Sequence, residues 1–149
     1  MKNRKSKNIL LVGLGNLGSN YIRAIKSLSY RTNLYIHDKN FKALDKNYDY
    51  PKNINLIKIR NIKNFNQNLD LAILATTAKR RLNLIRILKK NKIKFWILEK
   101  LLEQNVSSTN KVYECLKLDK CWVNIPRRAL PEYMRIKKNF KNHDKIDLK

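Results

Sequence analysis

The three glycines of this 149-residue chain fall within six positions, Gly13-Leu14-Gly15-Asn16-Leu17-Gly18. The apolar run Asn8-Ile9-Leu10-Leu11-Val12 leads into them, and a helix-like stretch from Leu17 to Leu28 follows. A strand, a tight turn and a helix start in this order read as a pyrophosphate cradle. The first Gly turns the chain, the second lets backbone approach the phosphates, and the third lets helix and strand pack closely. The helix start adds unpaired N–H groups and the positive end of its dipole. Gly13, Gly15, Asn16, Leu17 and Gly18 are therefore candidate cofactor-binding residues. The next apolar stretch, Asn33-Leu34-Tyr35-Ile36-His37, ends at Asp38, twenty residues after Gly18. A carboxylate there accepts from the adenosine ribose hydroxyls and repels a 2′-phosphate, which favours NAD over NADP. The plainer reading of Asp38 is a cap on the loop Asp38-Lys39-Asn40.

Alternating strand and helix signals must position these residues. After the first strand, helical spacing places Leu17, Tyr21, Ala24, Ile25 and Leu28 on one inward face. Strands follow at about 34–37 and, beyond the break at Pro51, at 54–59, with a short helical piece near 41–45. Leu69-Asp70-Leu71-Ala72-Ile73-Leu74-Ala75 is nearly continuous in apolar residues, as a parallel strand buried on both faces would be. Thr76-Thr77 then offer a hydroxyl to cap a helix over about 78–91, with Leu82, Ile85 and Leu88 inward and Arg and Lys outward. A strand at 95–98 ends at Glu99-Lys100, a helix spans about 106–118, and a last strand at 121–125 stops at Pro126.

Repeated β-α-β units with no hairpin signal predict an α/β fold: a Rossmann-type, doubly wound, mostly parallel six-stranded sheet. Its ligand crevice lies at the carboxyl ends of the strands. One ligand across that edge could touch the glycine turn, Asp38, Thr76, Thr77, Glu99, Lys100 and the segment from Asn124 to Arg128.

Length predicts one dinucleotide-binding domain over 1–126, with an exit helix and polar tail over 127–149. No apolar run reaches the length of a membrane span. The basic start Met1-Lys2-Asn3-Arg4-Lys5-Ser6-Lys7 precedes too short an apolar stretch for a signal peptide, so a cytoplasmic location is expected. Cys115 and Cys121 fit reduced core residues, and their spacing matches no metal site. The net charge of +23 invites a nucleic-acid partner. However, Lys (24), Asn (20) and Ile (16) are enriched together. They share A- and U-rich codons, whereas selection for phosphate binding would raise Lys and Arg alone. The cations are also spread along the chain, which points to a solvated basic surface that favours anionic ligands in general.

Over residues 8 to 130 the ordered motifs resemble the N-terminal half of the Gfo/Idh/MocA oxidoreductases. The motifs are the glycine turn, the Asp38 strand end, Leu69–Thr76, Glu99-Lys100 and Trp122-Val123-Asn124-Ile125-Pro126-Arg127-Arg128. The resemblance implies an NAD(P) cofactor and hydride transfer to or from a sugar or sugar-derivative carbon. It implies that Lys100 orients or polarises the reacting oxygen, and that Arg127 and Arg128 hold a sugar hydroxyl or phosphate. The Asn-x-Pro-Arg-Arg pattern is similar to members that serve cell-surface polysaccharide biosynthesis. In the family a proline follows the Glu-Lys pair, where this chain has Leu101. The family's second domain supplies the acid/base and much of the sugar pocket, so a further domain or subunit is the expected partner and this stretch is expected to be inactive alone. His143 and Asp144 stand in a solvated, lysine-rich tail and are assigned no catalytic part. A dinucleotide-sensing protein without chemistry is the alternative of another class, and a basic nucleic-acid binder is a weaker third.

Overall fold

Side chains of a strand point alternately to its two faces, and over Ile9 to Val12 of β1 (Lys7–Val12) both sets are apolar and buried. Ile9 and Leu11 join one core cluster, and Leu10 and Val12 the other. β1 must therefore lie in mid-sheet with a layer on each face. The computed structural model, which describes residues 6–45, 49–79, 81–125, 130–132 and 134–135, has this arrangement. β2 (Thr32–His37), β3 (Ile54–Lys58), β4 (Leu71–Leu74), β5 (Trp96–Glu99) and β6 (Cys121–Asn124) complete one sheet of order β3-β2-β1-β4-β5-β6. Each of the five pairings is parallel.

The helices are α1 (Asn16–Lys26), α2 (Arg81–Leu88) and α3 (Val106–Leu116). Two 3-10 turns, Phe41–Asp45 and Ile62–Asn64, serve as connectors. Ile22 and Ile25 of α1 pack with Ile9, Leu11, Leu34, Ile36 and Ile73 on one face of the sheet. Leu82, Ile85 and Leu88 of α2 and Val112 and Leu116 of α3 pack with Leu10, Ala72, Leu74, Trp96 and Leu98 on the other. The doubly wound α/β architecture expected from the sequence is therefore present, with every strand parallel. Cys115 and Cys121 are free, partly buried thiols packed against the second cluster. Among the described residues no helix is long and apolar enough to cross a membrane. The predicted boundary at 126, the residues Arg127 and Arg128, and His143 and Asp144 lie outside the described residues.

Three expectations need correction. The buried stripe of α1 is Gly18, Ile22 and Ile25, while Leu17 is exposed and Tyr21 and Leu28 only partly covered. The reason is steric. A Cβ on Gly18 would stand 2.0 Å from the Gly13 carbonyl oxygen, so the helix is turned until its glycine faces the strand. α2 is shorter than the 78–91 expected, and its Arg81 points inward. Its start is capped from elsewhere: the Leu82 N–H donates to Glu103 Oε1 at 2.6 Å, so the cap expected of Thr76 or Thr77 comes from the loop after β5.

Gly13 has φ +95, and a Cβ there would meet the Ala75 carbonyl oxygen at 2.7 Å. At Gly15 a Cβ would meet nothing within 4 Å. The three glycines therefore differ in what they are for. Gly18→Ala should lower stability by at least about 3 kcal/mol in urea unfolding, because backbone cannot yield as a flexible side chain does. Gly15→Ala should change it by no more than about 1 kcal/mol.

Candidate functional site

The sheet order reverses between β1 and β4, and parallel strands leave a crevice at their carboxyl ends there. A cavity of about 550 Å³ occupies this place. Its wall comes from the turn after β1 (Val12, Gly13, Gly15), the end of β2 (His37, Asp38, Lys39) and the loop after β4 (Ala75, Thr76, Thr77, Lys79). Five of the sequence candidates, Gly13, Gly15, Asp38, Thr76 and Thr77, thus share one cavity. Asn16 and Leu17 are exposed on the first turn of α1, and Gly18 is buried behind it.

Backbone geometry fixes the side formed by β1 and β2. The Gly13 N–H donates to the His37 carbonyl at 2.9 Å, and the Leu14 N–H donates to Asp38 Oδ2 at 2.7 Å. Asp38 Oδ1 accepts from the Asn40 N–H at 2.8 Å, so the carboxylate also caps its own loop. Both readings of Asp38 are thus compatible with one position. His37 Nδ1 lies 2.8 Å from the Ile59 carbonyl, which holds the ring against β3. No side chain caps α1, and no acidic residue stands in its first turn. Its N–H groups and dipole are left for an external anion. Lys39 and Lys79 add two ammonium groups to the same wall. Sequence reasoning passed over both, although Lys39 directly follows Asp38 and Lys79 stands two residues after Thr77.

The side formed by β4, β5 and β6 is held by two buried charged groups. Glu99 is 2 % exposed, and its Oε1 accepts from Tyr21 Oη at 2.5 Å and from Asn124 Nδ2 at 2.7 Å. Asn124 Nδ2 also donates to Tyr21 Oη at 2.8 Å. This network ties α1 to the ends of β5 and β6. Burial, and then the hydrogen bond to Glu99, push the Tyr21 phenol well above its ordinary value of 10. Glu99, expected among the cofactor contacts, is thus engaged in this network and does not line the cavity.

Arg81, 1 % exposed, lies on the opposite face of β5. Its Nη1 donates to the carbonyls of Glu99, Leu101 and Leu102, and its Nη2 to that of Thr76. Burial lowers its pKa, and the charges of Glu103 and Glu99 oppose that shift. Sequence reasoning placed Arg81 outward, yet a signal was present. Arg81 is four residues before Ile85 and seven before Leu88, on the inward stripe. Lys100 is exposed at the end of β5, away from the cavity wall, and its peptide bond to Leu101 is cis. Arg127 and Arg128 lie outside the described residues. Thr76 Oγ1 is buried without a hydrogen-bond partner among the described residues, in the wall of the cavity. No group of three or more His, Cys, Asp or Glu able to hold a metal occurs among them.

No family model matches the sequence, and no curated protein matches it. Solved structures do match. Myo-inositol 2-dehydrogenase from Lactobacillus plantarum aligns with 94% of this chain and 42% of its own, at 17% identity and a TM-score of 0.72. The WlbA dehydrogenase from Bordetella pertussis, in complex with NADH and UDP-GlcNAcA, aligns at 17% identity and TM-score 0.70, covering 93% and 42%. Scyllo-inositol dehydrogenase from Lactobacillus casei, with NAD(H) and scyllo-inositol bound, aligns at 16% and 0.68, covering 93% and 41%. The chain therefore has the fold of part of these dehydrogenases and spans about two fifths of their length. The sequence-based expectation of that fold is met.

The Tyr21 shift has a consequence for alkaline stability. Its folded pKa is raised, so its contribution is complete below the unfolded value near 10 and is lost as pH rises through and above it. Urea unfolding from about pH 8 to about pH 11 should show stability falling over the upper part of that range. Tyr21→Phe should flatten that fall. An unchanged alkaline slope in the variant would remove Tyr21 from this role.

Proposed function

We propose that this chain is the NAD-binding unit of an oxidoreductase of the Gfo/Idh/MocA type, moving a hydride to or from a carbon of a sugar or sugar derivative. The observation that carries the reading is the cavity at the strand-order reversal, with an uncapped helix start beside it and open space at Gly15. The fold likeness to inositol and nucleotide-sugar dehydrogenases supports it. A dinucleotide fits the donor set. The N–H groups at the start of α1 would hold the pyrophosphate, with Lys39 and Lys79 adding charge. Asp38 would take the adenosine ribose hydroxyls. Thr76 and its neighbour Thr77 would face the nicotinamide half, where the unpartnered Thr76 hydroxyl needs a partner.

When bound, the dinucleotide supplies the hydride donor or acceptor. Lys100 would polarise the oxygen on the reacting carbon, because an ammonium stabilises oxyanion character as hydride moves. Arg127 and Arg128 would hold the sugar's hydroxyls or a phosphate. Among the described residues His37 is the one imidazole in the cavity wall, and its ring is engaged with Ile59. Proton transfer then falls to a further domain or subunit, and this stretch alone binds without turnover. A polyanionic sugar nucleotide of cell-surface polysaccharide biosynthesis suits the basic surface.

Calorimetric titration with NADH and NADPH tests the reading. NADH should bind at least about tenfold tighter than NADPH, a difference of about 1.4 kcal/mol. Asp38→Ala should narrow that difference. Lys39 stands beside Asp38 and is the group that would let NADPH compete once the carboxylate is gone. Gly15→Ala should weaken both ligands about tenfold with the fold retained, since its methyl group would fill the phosphate approach. Absence of heat with either ligand at millimolar concentration would overturn the proposal.

A further inference from the structure

Arg81 belongs to no pyrophosphate cradle, yet it is among the most buried large side chains of the chain. Removing a guanidinium from water costs several kcal/mol unless its donors are met. Here the terminal Nη donors are met by backbone from two loops, while Nε has no hydrogen-bond partner among the described residues. Thr76 follows β4; Glu99, Leu101 and Leu102 end and follow β5. Three of these carbonyls lie outside any strand, so no neighbouring strand would otherwise satisfy them. The planar fork of Arg reaches in two directions at once, which a Lys ammonium does not do. Glu103 adds a second tie, from the same loop after β5 to the start of α2.

We propose that Arg81 is a positioning residue for the nicotinamide half of the crevice. It clips the loop after β4 to the loop after β5 and so sets where Thr76, Thr77 and Lys100 stand relative to the ligand. This rests on the dinucleotide reading above. The adenosine half is tied independently, through Gly13 to His37 and Leu14 to Asp38. Loss of the clip should therefore damage one half of the site and spare the other. A residue that merely supports the fold would affect both halves alike.

The test compares wild type, Arg81→Lys and Arg81→Ala, the last with and without methylguanidinium. Amide hydrogen exchange and calorimetry with NADH and with ADP are the measurements. In Arg81→Ala, exchange should quicken over Thr76–Lys79 and Lys100–Glu103 and stay unchanged over Gly13–Gly18 and Asp38–Asn40. NADH affinity should fall about tenfold, while ADP affinity stays within about twofold. Arg81→Lys should not restore NADH binding, and methylguanidinium with Arg81→Ala should. Equal losses for NADH and ADP, unchanged exchange in both loops, or a variant unfolded even with methylguanidinium would each overturn the proposal. A wild type that binds neither NADH nor ADP would overturn the dinucleotide reading and the nicotinamide assignment with it. The exchange contrast would still decide whether Arg81 joins the two loops.

Discussion

Backbone-to-backbone contact at Gly13 sets the position of everything around the crevice. On one side its carbonyl lies where a Cβ of Gly18 would be, and on the other its Cα abuts the Ala75 carbonyl. At this turn the start of α1 and the ends of β1 and β4 therefore meet with no side chain between them. That closeness rotates α1 so that Gly18, Ile22 and Ile25 face the sheet. It brings the helix start to the strand ends, and it places the loop after β4 beside the glycine turn. The cavity is the space left at that junction. The different tolerance expected at Gly15 and Gly18 follows from the same geometry: one glycine is open to a ligand, and the other is closed by backbone.

Two charged side chains complete the far half without forming an ion pair. Glu99 sends its carboxylate to the α1 face, where a phenol and an amide donate to it. Arg81 approaches from the α2 face and takes the Glu99 carbonyl, not its carboxylate. The Glu99 carboxylate and the Nη groups of Arg81 meet neutral dipoles of fixed direction, and the charges of Glu103 and Glu99 also favour the charged guanidinium. Such an arrangement offsets the desolvation cost while leaving neither group dependent on a mobile counter-ion. It also anchors α1, α2 and β6 to the end of β5.

Much of this was legible in the sequence because the signals were local. The glycine spacing, the strand run Leu69–Ala75 and the alternation of elements each depend on neighbours a few residues apart. Together they gave the parallel sheet and the residues along its carboxyl edge. What was not legible depends on partners far along the chain. The cap on α2 comes from Glu103, twenty-one positions beyond Leu82, so local rules pointed to Thr76 and Thr77 instead. Glu99 finds Tyr21 across seventy-eight positions. The inward stripe of α1 was misread for a related reason. Periodicity ranks apolar side chains, whereas the deciding residue was Gly18, which has none. Arg81 was misread because charge outweighed its place on the stripe.

The surplus of positive charge can be followed through the same structure. Three ion pairs are present among the described residues, using Asp70, Glu114 and Asp119. Three other carboxylates are engaged by neutral donors. Asp38 accepts from two backbone N–H groups, Glu99 from Tyr21 and Asn124, and Glu103 from Leu82. Those five bonds build the crevice and cancel no lysine charge. Six of the eleven acids of a chain at net +23 are thus divided between surface pairs and the architecture of the site. The field that remains favours anions over the whole surface. At the crevice that general attraction coincides with directed donors: an uncapped helix start and a close backbone turn. Charge by itself would draw any polyanion. The glycine geometry is what would turn attraction into recognition of a pyrophosphate.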